Sequence, residues 1–359
     1  MMYVYILLSG LYRLSCGALI LAIHWLMATK NDSFSYLAIL VALTFLPAIL
    51  VPLFYKNKTM SGSKLTAFAL FASFLTSLFL FFTHNQILIL SLNTILWLFF
   101  FIMESSWEAW FAALAKNYTK QEILKFSSLS MSVNQASLML GPIISALIFK
   151  DNPQIVILIS SLLFLFVFFV ALFYPTKANN FKEESHINQK IKISTLELSL
   201  VLIWPTLALF NFMLPVQIAF EKGDMTEVGI LDVMMGLGMI CSSFLLSKEV
   251  LHRLFIRYKL NIILLIFAIL LWGFWQDFIF KLFCVFILGL CFNMSRILIR
   301  SALAQKYEEL LVGQLVSKAN AYSFFIIIFT LFFVYDKMSI NYAMPFIFAI
   351  LIALLGLKR

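Results

Sequence analysis

Apolar runs of about twenty residues alternate with short polar breaks along this chain. Residues 87–103, "ILILSLNTILWLFFFIM", carry no charge at all. A helix rises about 1.5 Å per residue, so about 20 apolar residues are what a bilayer's hydrocarbon core requires. Breaks at polar and Gly/Pro-containing loops predict helices over 3–28, 33–55, 65–83, 86–115, 125–149 and 153–175. Six more follow, over 195–220, 226–247, 260–276, 279–305, 315–335 and 342–357. The pattern predicts an all-α integral membrane protein with twelve transmembrane helices. The first run lacks a charged leader and a small-residue cleavage site, so it reads as a retained first span rather than a signal peptide.

The longest polar stretch, "TKANNFKEESHINQKIKIS" at 176–194, leaves six runs on each side. Near-equal halves suggest two six-helix bundles, 1–175 and 195–359, joined by a cytoplasmic linker at 176–194, the arrangement of many secondary transporters.

Composition agrees with a membrane protein. Of 359 residues, 63% are hydrophobic and 12% charged, against about half and about a quarter in a soluble domain. The formal charge of +9 forms no basic stripe interleaved with aromatics, which argues against a nucleic-acid partner. It divides by side instead. Assigning alternate loops to one face puts seventeen of the 26 lysines and arginines there, five opposite, and Arg13, Arg296, Arg300 and Lys318 within or at the edges of spans. The richer face is the cytoplasmic one, which places both termini and the linker in the cytoplasm and the protein in the inner membrane. Lys281 falls among the five on the opposite face.

An ionisable group facing lipid costs at least about 2.5–3.5 kcal/mol at a span's centre, so such groups face a bundle interior or a watery cavity. The candidates are Arg13 in span 1, Glu104 and Glu108 in span 4, Asp232 in span 8, Arg296 and Arg300 in span 10, and Lys318 near the start of span 11. Spans 4 and 10 hold equivalent places in the two halves. One carries two acids at i, i+4 spacing, the other two arginines at the same spacing, so each pair shares a helix face. One reading is a charge cluster in a cavity, with Glu104 and Glu108 opposed to Arg13, Arg296 and Arg300 and with protonation of a carboxylate driving a switch. The static alternative has one or two pairs holding helices together, with Glu108 or Arg300 reaching the headgroups.

Other chemistry is sparse. The four cysteines sit in apolar runs with no C-x-x-C, and the four histidines, His24 among them, form no cluster, so neither a metal site nor a cofactor is expected. There is no G-x-S-x-G, H-E-x-x-H or phosphate loop, and no enzyme is expected. Trp107, Trp110, Trp272 and Trp275 read first as membrane-interface anchors. Asp277 falls in the short loop after span 9.

Span 5, "KFSSLSMSVNQASLMLGPIISALIF", carries Gly141-Pro142 two-thirds along it, preceded by Asn134 and Gln135. It resembles the fifth-helix antiporter motif of the major facilitator superfamily. "AWFAALAKNYTKQEILKFSSLSMSVNQASLMLGP", "RSALAQKYEELLVGQLVSKANAYSF" and the small residues Gly236, Gly238, Ser242 and Ser243 resemble the enterobactin-exporter-like and macrolide-efflux-like branch. The likeness runs over essentially the whole chain through degenerate motifs. One departure is plain. Between spans 2 and 3 that superfamily usually carries an aspartate followed by arginines, which latch helices on the cytoplasmic side. Here the stretch reads "LFYKNKTMSGSKLTAF", with basic residues and no acid. The equivalent loop of the second half keeps Arg253 and Arg257.

The resemblance and the charge pattern together imply an exporter of a small molecule, working by proton antiport; the sequence leaves the oligomeric state open, and a monomer is the default expectation. Glu104 and Glu108 would couple protons, Arg13, Arg296, Arg300, Asn134, Gln135, Asp232 and Lys318 would serve substrate or gate, and Gly141-Pro142 would form the kink. Paired arginines suit an anionic substrate such as a carboxylate siderophore, and a drug-like compound is the other class. A proton-coupled importer on the same fold, and a sensor or scaffold that transports nothing, remain alternatives.

Overall fold

Inside a bilayer every backbone N–H and C=O must be satisfied within the chain, and a helix does this locally. In the computed structural model, which describes residues 1–28, 43–56, 61–149, 152–174, 195–221, 225–247, 260–274, 277–334 and 343–357, the described residues contain helices and no strand. The linker at 176–194, Arg253, Arg257 and Trp275, the segment 57–60, and the first part of the expected span at 33–55 lie outside the described residues.

The helices are α1 (Met2–Ala28), a 3-10 turn at Leu46–Ile49, α2 (Val51–Lys56), α3 (Gly62–Phe82), α4 (Gln86–Ala115), α5 (Lys120–Phe149), α6 (Pro153–Phe173), α7 (Thr195–Val201), α8 (Ile203–Phe220), α9 (Met225–Ser247), α10 (Leu260–Phe274), α11 (Phe278–Lys306), α12 (Glu309–Val334) and α13 (Met344–Leu357). Seven of the described helices are long and apolar enough to cross a membrane: α1, α3, α4, α6, α9, α11 and α12. The serines, Asn134 and Gln135 of α5 dilute its apolar run, and α10 and α13 are shorter apolar helices.

Three of the differences from the sequence reading have a visible cause. α5 begins at Lys120 rather than 125 because Thr119 and Glu122 cap it. The Thr119 amide and hydroxyl both donate to the Glu122 carboxylate, at 2.9 and 2.8 Å, and the Glu122 amide donates back to Thr119 Oγ1 at 3.4 Å. This is a capping box, and its donors hold the exposed Glu122 carboxyl below the usual carboxylate range. α12 begins at Glu309 rather than 315, with an acid in its first turn where the helix dipole favours one. The run at 195–220 is broken at Leu202, where Thr206 Oγ1 donates to the Leu202 carbonyl at 2.7 Å and Pro205 stands in the first turn of α8.

The chain forms two compact units. The first comprises Met1–Tyr118, Val133–Lys192 and Ala304–Ala321. In it α3 packs along both α4 and α6, and α1 lies along α6 and touches α4. α1 also meets α5 through glycines. A Cβ at Gly17 would strike the Leu138 carbonyl oxygen and stand 2.9 Å from the Pro142 ring. A Cβ at Gly141 would strike the Leu14 carbonyl oxygen and stand 2.8 Å from the Ala18 nitrogen. The two backbones are therefore in contact, the close approach that small residues permit between membrane helices.

The second unit comprises Thr119–Ser132, Ile193–Leu303 and Tyr322–Arg359. There α13 packs against α7, α8 and α10. α9 and α11 repeat the close approach of the first unit, since Gly238 faces the backbone of Phe286 and Leu290 while Gly289 faces that of Met235. Asn293 Nδ2 ties the pair by donating to the Met239 carbonyl at 2.7 Å and to Ser242 Oγ at 2.9 Å. With its amide nitrogen donating twice to α9, that buried side chain adds register to a contact that shape alone would hold.

Candidate functional site

α4 carries Glu104 and Glu108 on one face, as i, i+4 spacing requires. From Phe100 to Ala112 every residue is buried except these two, which are partly exposed. The helix is thus sealed on all sides but one narrow strip, and that strip is lined by carboxylates. Their polarity explains why it stays open to water, since a carboxylate buried dry would cost several kcal/mol.

Arg13 of α1 reaches this strip. Its Nη2 donates to Glu104 Oε2 in an ion pair whose side chains keep 20% and 15% of their exposure. The guanidinium also lies over the Tyr12 ring, 5.4 Å from its centre. One turn earlier on α1, Ser9 Oγ donates to Asn134 Oδ1 of α5. Ser9 and Arg13 stand at i, i+4, so one face of α1 makes polar contacts to α5 and α4 in succession. Gln135, next to Asn134, is partly exposed, and Gly141 and Pro142 lie one to two turns further along, at the α1 crossing.

Beneath Arg13 is an aromatic cluster that sequence reasoning missed. Trp107 and Trp110 stack at 5.0 Å with 14° between their planes, and Tyr5 meets both rings edge-on at 5.1 and 5.4 Å. The Tyr5 hydroxyl donates to the Trp107 carbonyl at 3.0 Å. Both tryptophans are buried, which corrects their reading as interface anchors. They pack against α1 because they share the buried side of α4 with Phe111, where ring area contributes most. Trp272 of α10 likewise packs, on Phe346 at 5.7 Å.

In the second unit Arg296 and Arg300 lie on α11, one turn apart. Arg296 is partly exposed with its guanidinium 5.6 Å from the Phe292 ring centre, and Arg300 is buried. Asp232 of α9 is exposed, and Lys318, on the stretch of α12 that belongs to the first unit, is exposed too. Asp277 stands just before α11, its Oδ1 accepting from the Ile279 amide at 3.1 Å.

Lys281, assigned to a loop by its charge, is buried in the first turn of α11. Its Nζ donates to Glu221 Oε2, and Gln217 Nε2 donates to the other oxygen of the same carboxylate at 2.8 Å. The three-residue distance of Lys281 from the start of an apolar run was the available signal. Breaking this pair from the exposed side leaves an ammonium buried without its counter-charge, a loss of about 3–5 kcal/mol. Glu221→Ala is therefore expected to lower the melting temperature of the purified protein markedly. Lys281→Met, which removes the buried charge and leaves a partly exposed carboxylate, is expected to cost much less and to restore most of what Glu221→Ala loses. Equal losses for the two single variants would contradict this account.

Among the described residues no group of three or more His, Cys, Asp or Glu side chains could hold a metal ion. No protein-family model matches the sequence, and no curated protein matches it. Solved structures do match. A bacterial homologue of the iron transporter ferroportin, in an outward-facing state, superposes with a TM-score of 0.71 at 16% identity, over 99% of this chain and 97% of that one. The human organic anion transporter MFSD10 gives 0.69 at 13% identity, over 97% and 98%. The E. coli fucose:proton symporter FucP, a major facilitator superfamily transporter, gives 0.75 at 12% identity, over 99% and 97%. All three are transporters, and all three are matched over nearly their whole length. The chain has the major facilitator fold.

Proposed function

We propose that this protein is a secondary active transporter that exports a small molecule by proton antiport, with alternating access between two six-helix halves, 1–175 and 195–359. The observation that carries the reading is the strip on α4, where Glu104 and Glu108 alone interrupt the buried stretch from Phe100 to Ala112 and Glu104 is held by Arg13. A carboxylate that is reachable by water and paired to arginine has two stable states, ionised with its partner and protonated without it. Glu104, with Glu108 one turn away, is the proton-coupling candidate. Arg13 competes for the charge, and Ser9 and Asn134 supply neutral polar contacts beside it. Arg296 and Arg300 suit an anionic substrate such as a carboxylate siderophore, as expected of the enterobactin-exporter-like branch that the sequence resembles. Asp232, Gln135 and Lys318 are secondary candidates, and Gly141-Pro142 is the bend. In this reading the termini and the 176–194 linker are cytoplasmic, the membrane is the inner one, and the protein acts as a monomer.

A second reading is import by proton symport on the same fold, favoured by the likeness to a fucose:proton symporter. Metabolite profiling of cells and medium, in a deletion strain and a complemented strain, with and without iron, separates the two. Export predicts a compound trapped inside the deletion strain and returned to the medium by the wild-type protein. Import predicts a supplied compound that the deletion strain fails to take up. No difference under any condition would leave a sensor or scaffold as the better account.

A further inference from the structure

The α3 helix begins in an unusual way. Ser61 stands at its N-cap position, but its side chain makes no capping hydrogen bond, so the first amides of the helix need another acceptor. The Gly62 amide donates to Glu309 Oε1, from a residue 247 positions further on. Glu309 is 7% exposed, at the first position of α12. Its carboxylate meets the positive end of the α3 dipole, which favours an anion, and Lys116 at the end of α4 attracts the same group. Gly62 has no room to be anything else. A Cβ there would lie 2.6 Å from the Trp110 nitrogen and 2.9 Å from the Ser106 carbonyl oxygen. Ser61, Ser63 and Trp110 around the contact are all buried.

We propose that Glu309 is the latch that holds α12 on the α3–α4 pair, and that its release from Gly62 is a required step in opening the cytoplasmic side. The inference rests on the alternating-access reading above, in which residue 309 belongs to the second half and residue 62 to the first. It accounts for the departure noted in the sequence. The acid expected between spans 2 and 3 is absent from "YKNKTMSGSK", and α12 presents one to the same place from the other side. The donor is a backbone amide, so no residue of the 57–64 stretch has to carry charge for the latch to close.

The test reads closure without any substrate. Ser61→Cys is placed beside the latch, and its alkylation by a maleimide is followed in inverted membrane vesicles by peptide mapping. Cys284 and Cys291, buried in α11, report in the same sample whether the fold is intact. Glu309→Ala is expected to speed labelling of residue 61 by about tenfold, the scale of one charge-assisted hydrogen bond lost, with Cys284 and Cys291 still protected. Glu309→Gln retains an acceptor oxygen and is expected to stay within about threefold of the parent. Gly62→Ala attacks the contact from the other side and is expected to behave as Glu309→Ala does. Unchanged labelling in Glu309→Ala and Gly62→Ala overturns the latch, and so does labelling that rises only together with that of Cys284 and Cys291. Because no substrate enters the assay, a chain that transports nothing can still show the latch. A chain that exports normally with Glu309→Ala and Gly62→Ala indistinguishable from the parent refutes the latch and leaves the transport reading standing.

Discussion

Glu104→Gln is expected to reduce transport by at least about tenfold while the protein still reaches the membrane. Glutamine has the shape of glutamate and keeps an oxygen for the Arg13 guanidinium, so the packing of α4 changes little. What it removes is the charge and the ability to bind and release a proton. Arg13→Gln removes the other partner. It leaves a partly exposed carboxylate without its counter-charge, and breaking a fully buried pair this way costs about 3–5 kcal/mol. The 20% and 15% exposure of the two side chains places the cost toward the low end of that range. Both single variants are therefore expected to lose transport and some stability. The double variant Arg13→Gln/Glu104→Gln is expected to regain stability and not transport, because an uncharged pair can pack but cannot couple to protons. Flux of the identified substrate across vesicles, with and without an imposed proton gradient, checks the first part, and thermal unfolding in detergent checks the second. Full transport by Glu104→Gln would assign the pair a purely structural role.

Gly141→Leu is expected to prevent accumulation of folded protein, or to lower its melting temperature severely. An added side chain would have to displace the backbone of α1 at Leu14 and Ala18, neither of which can rotate away as a side-chain tip would. Overpacking a well-filled interface costs about 1–3 kcal/mol and occasionally more, and a clash with main-chain atoms belongs at the upper end. Gly17→Leu meets α5 from the opposite direction and is expected to do the same. Gly229→Ala and Gly273→Ala, where an added Cβ meets nothing within 4 Å, are the controls and are expected to be tolerated. Protein level in the membrane and thermal unfolding distinguish the two groups. If Gly141→Leu were as stable as Gly229→Ala, the close contact of α1 and α5 would be refuted.

The helical architecture was legible because one physical demand, covering the hydrocarbon thickness with uncharged residues, is written into every run. The α4 helix spans Gln86–Ala115 as its run and flanking polar residues predict. The charges were legible for the same reason, since Arg13, Glu104 and Glu108 stand out in an apolar background. Their partners were less so. Spacing puts Glu104 and Glu108 on one face but does not say which of several arginines reaches it, because that depends on which helices are neighbours. Trp107 and Trp110 were misjudged because position along a span is visible in sequence and orientation about its axis is not. Lys281 was misplaced because a lysine near the end of a run can reach water or turn inward, and only the presence of Gln217 on α8 and of Glu221 just past its end decides.

From the sequence alone follow the membrane as solvent, the helices as its consequence, and the small set of ionisable groups inside them. These rest on local properties: hydropathy over twenty residues and charge at single positions. The contact of Arg13 with Glu104, of Gly17 with Leu138, and of Glu309 with Gly62 joins residues 91, 121 and 247 positions apart. Such pairings come from the packing of one helix surface on another, where a methyl group or a single carboxylate settles the fit, and no local pattern carries that information. Tertiary structure alone decided them.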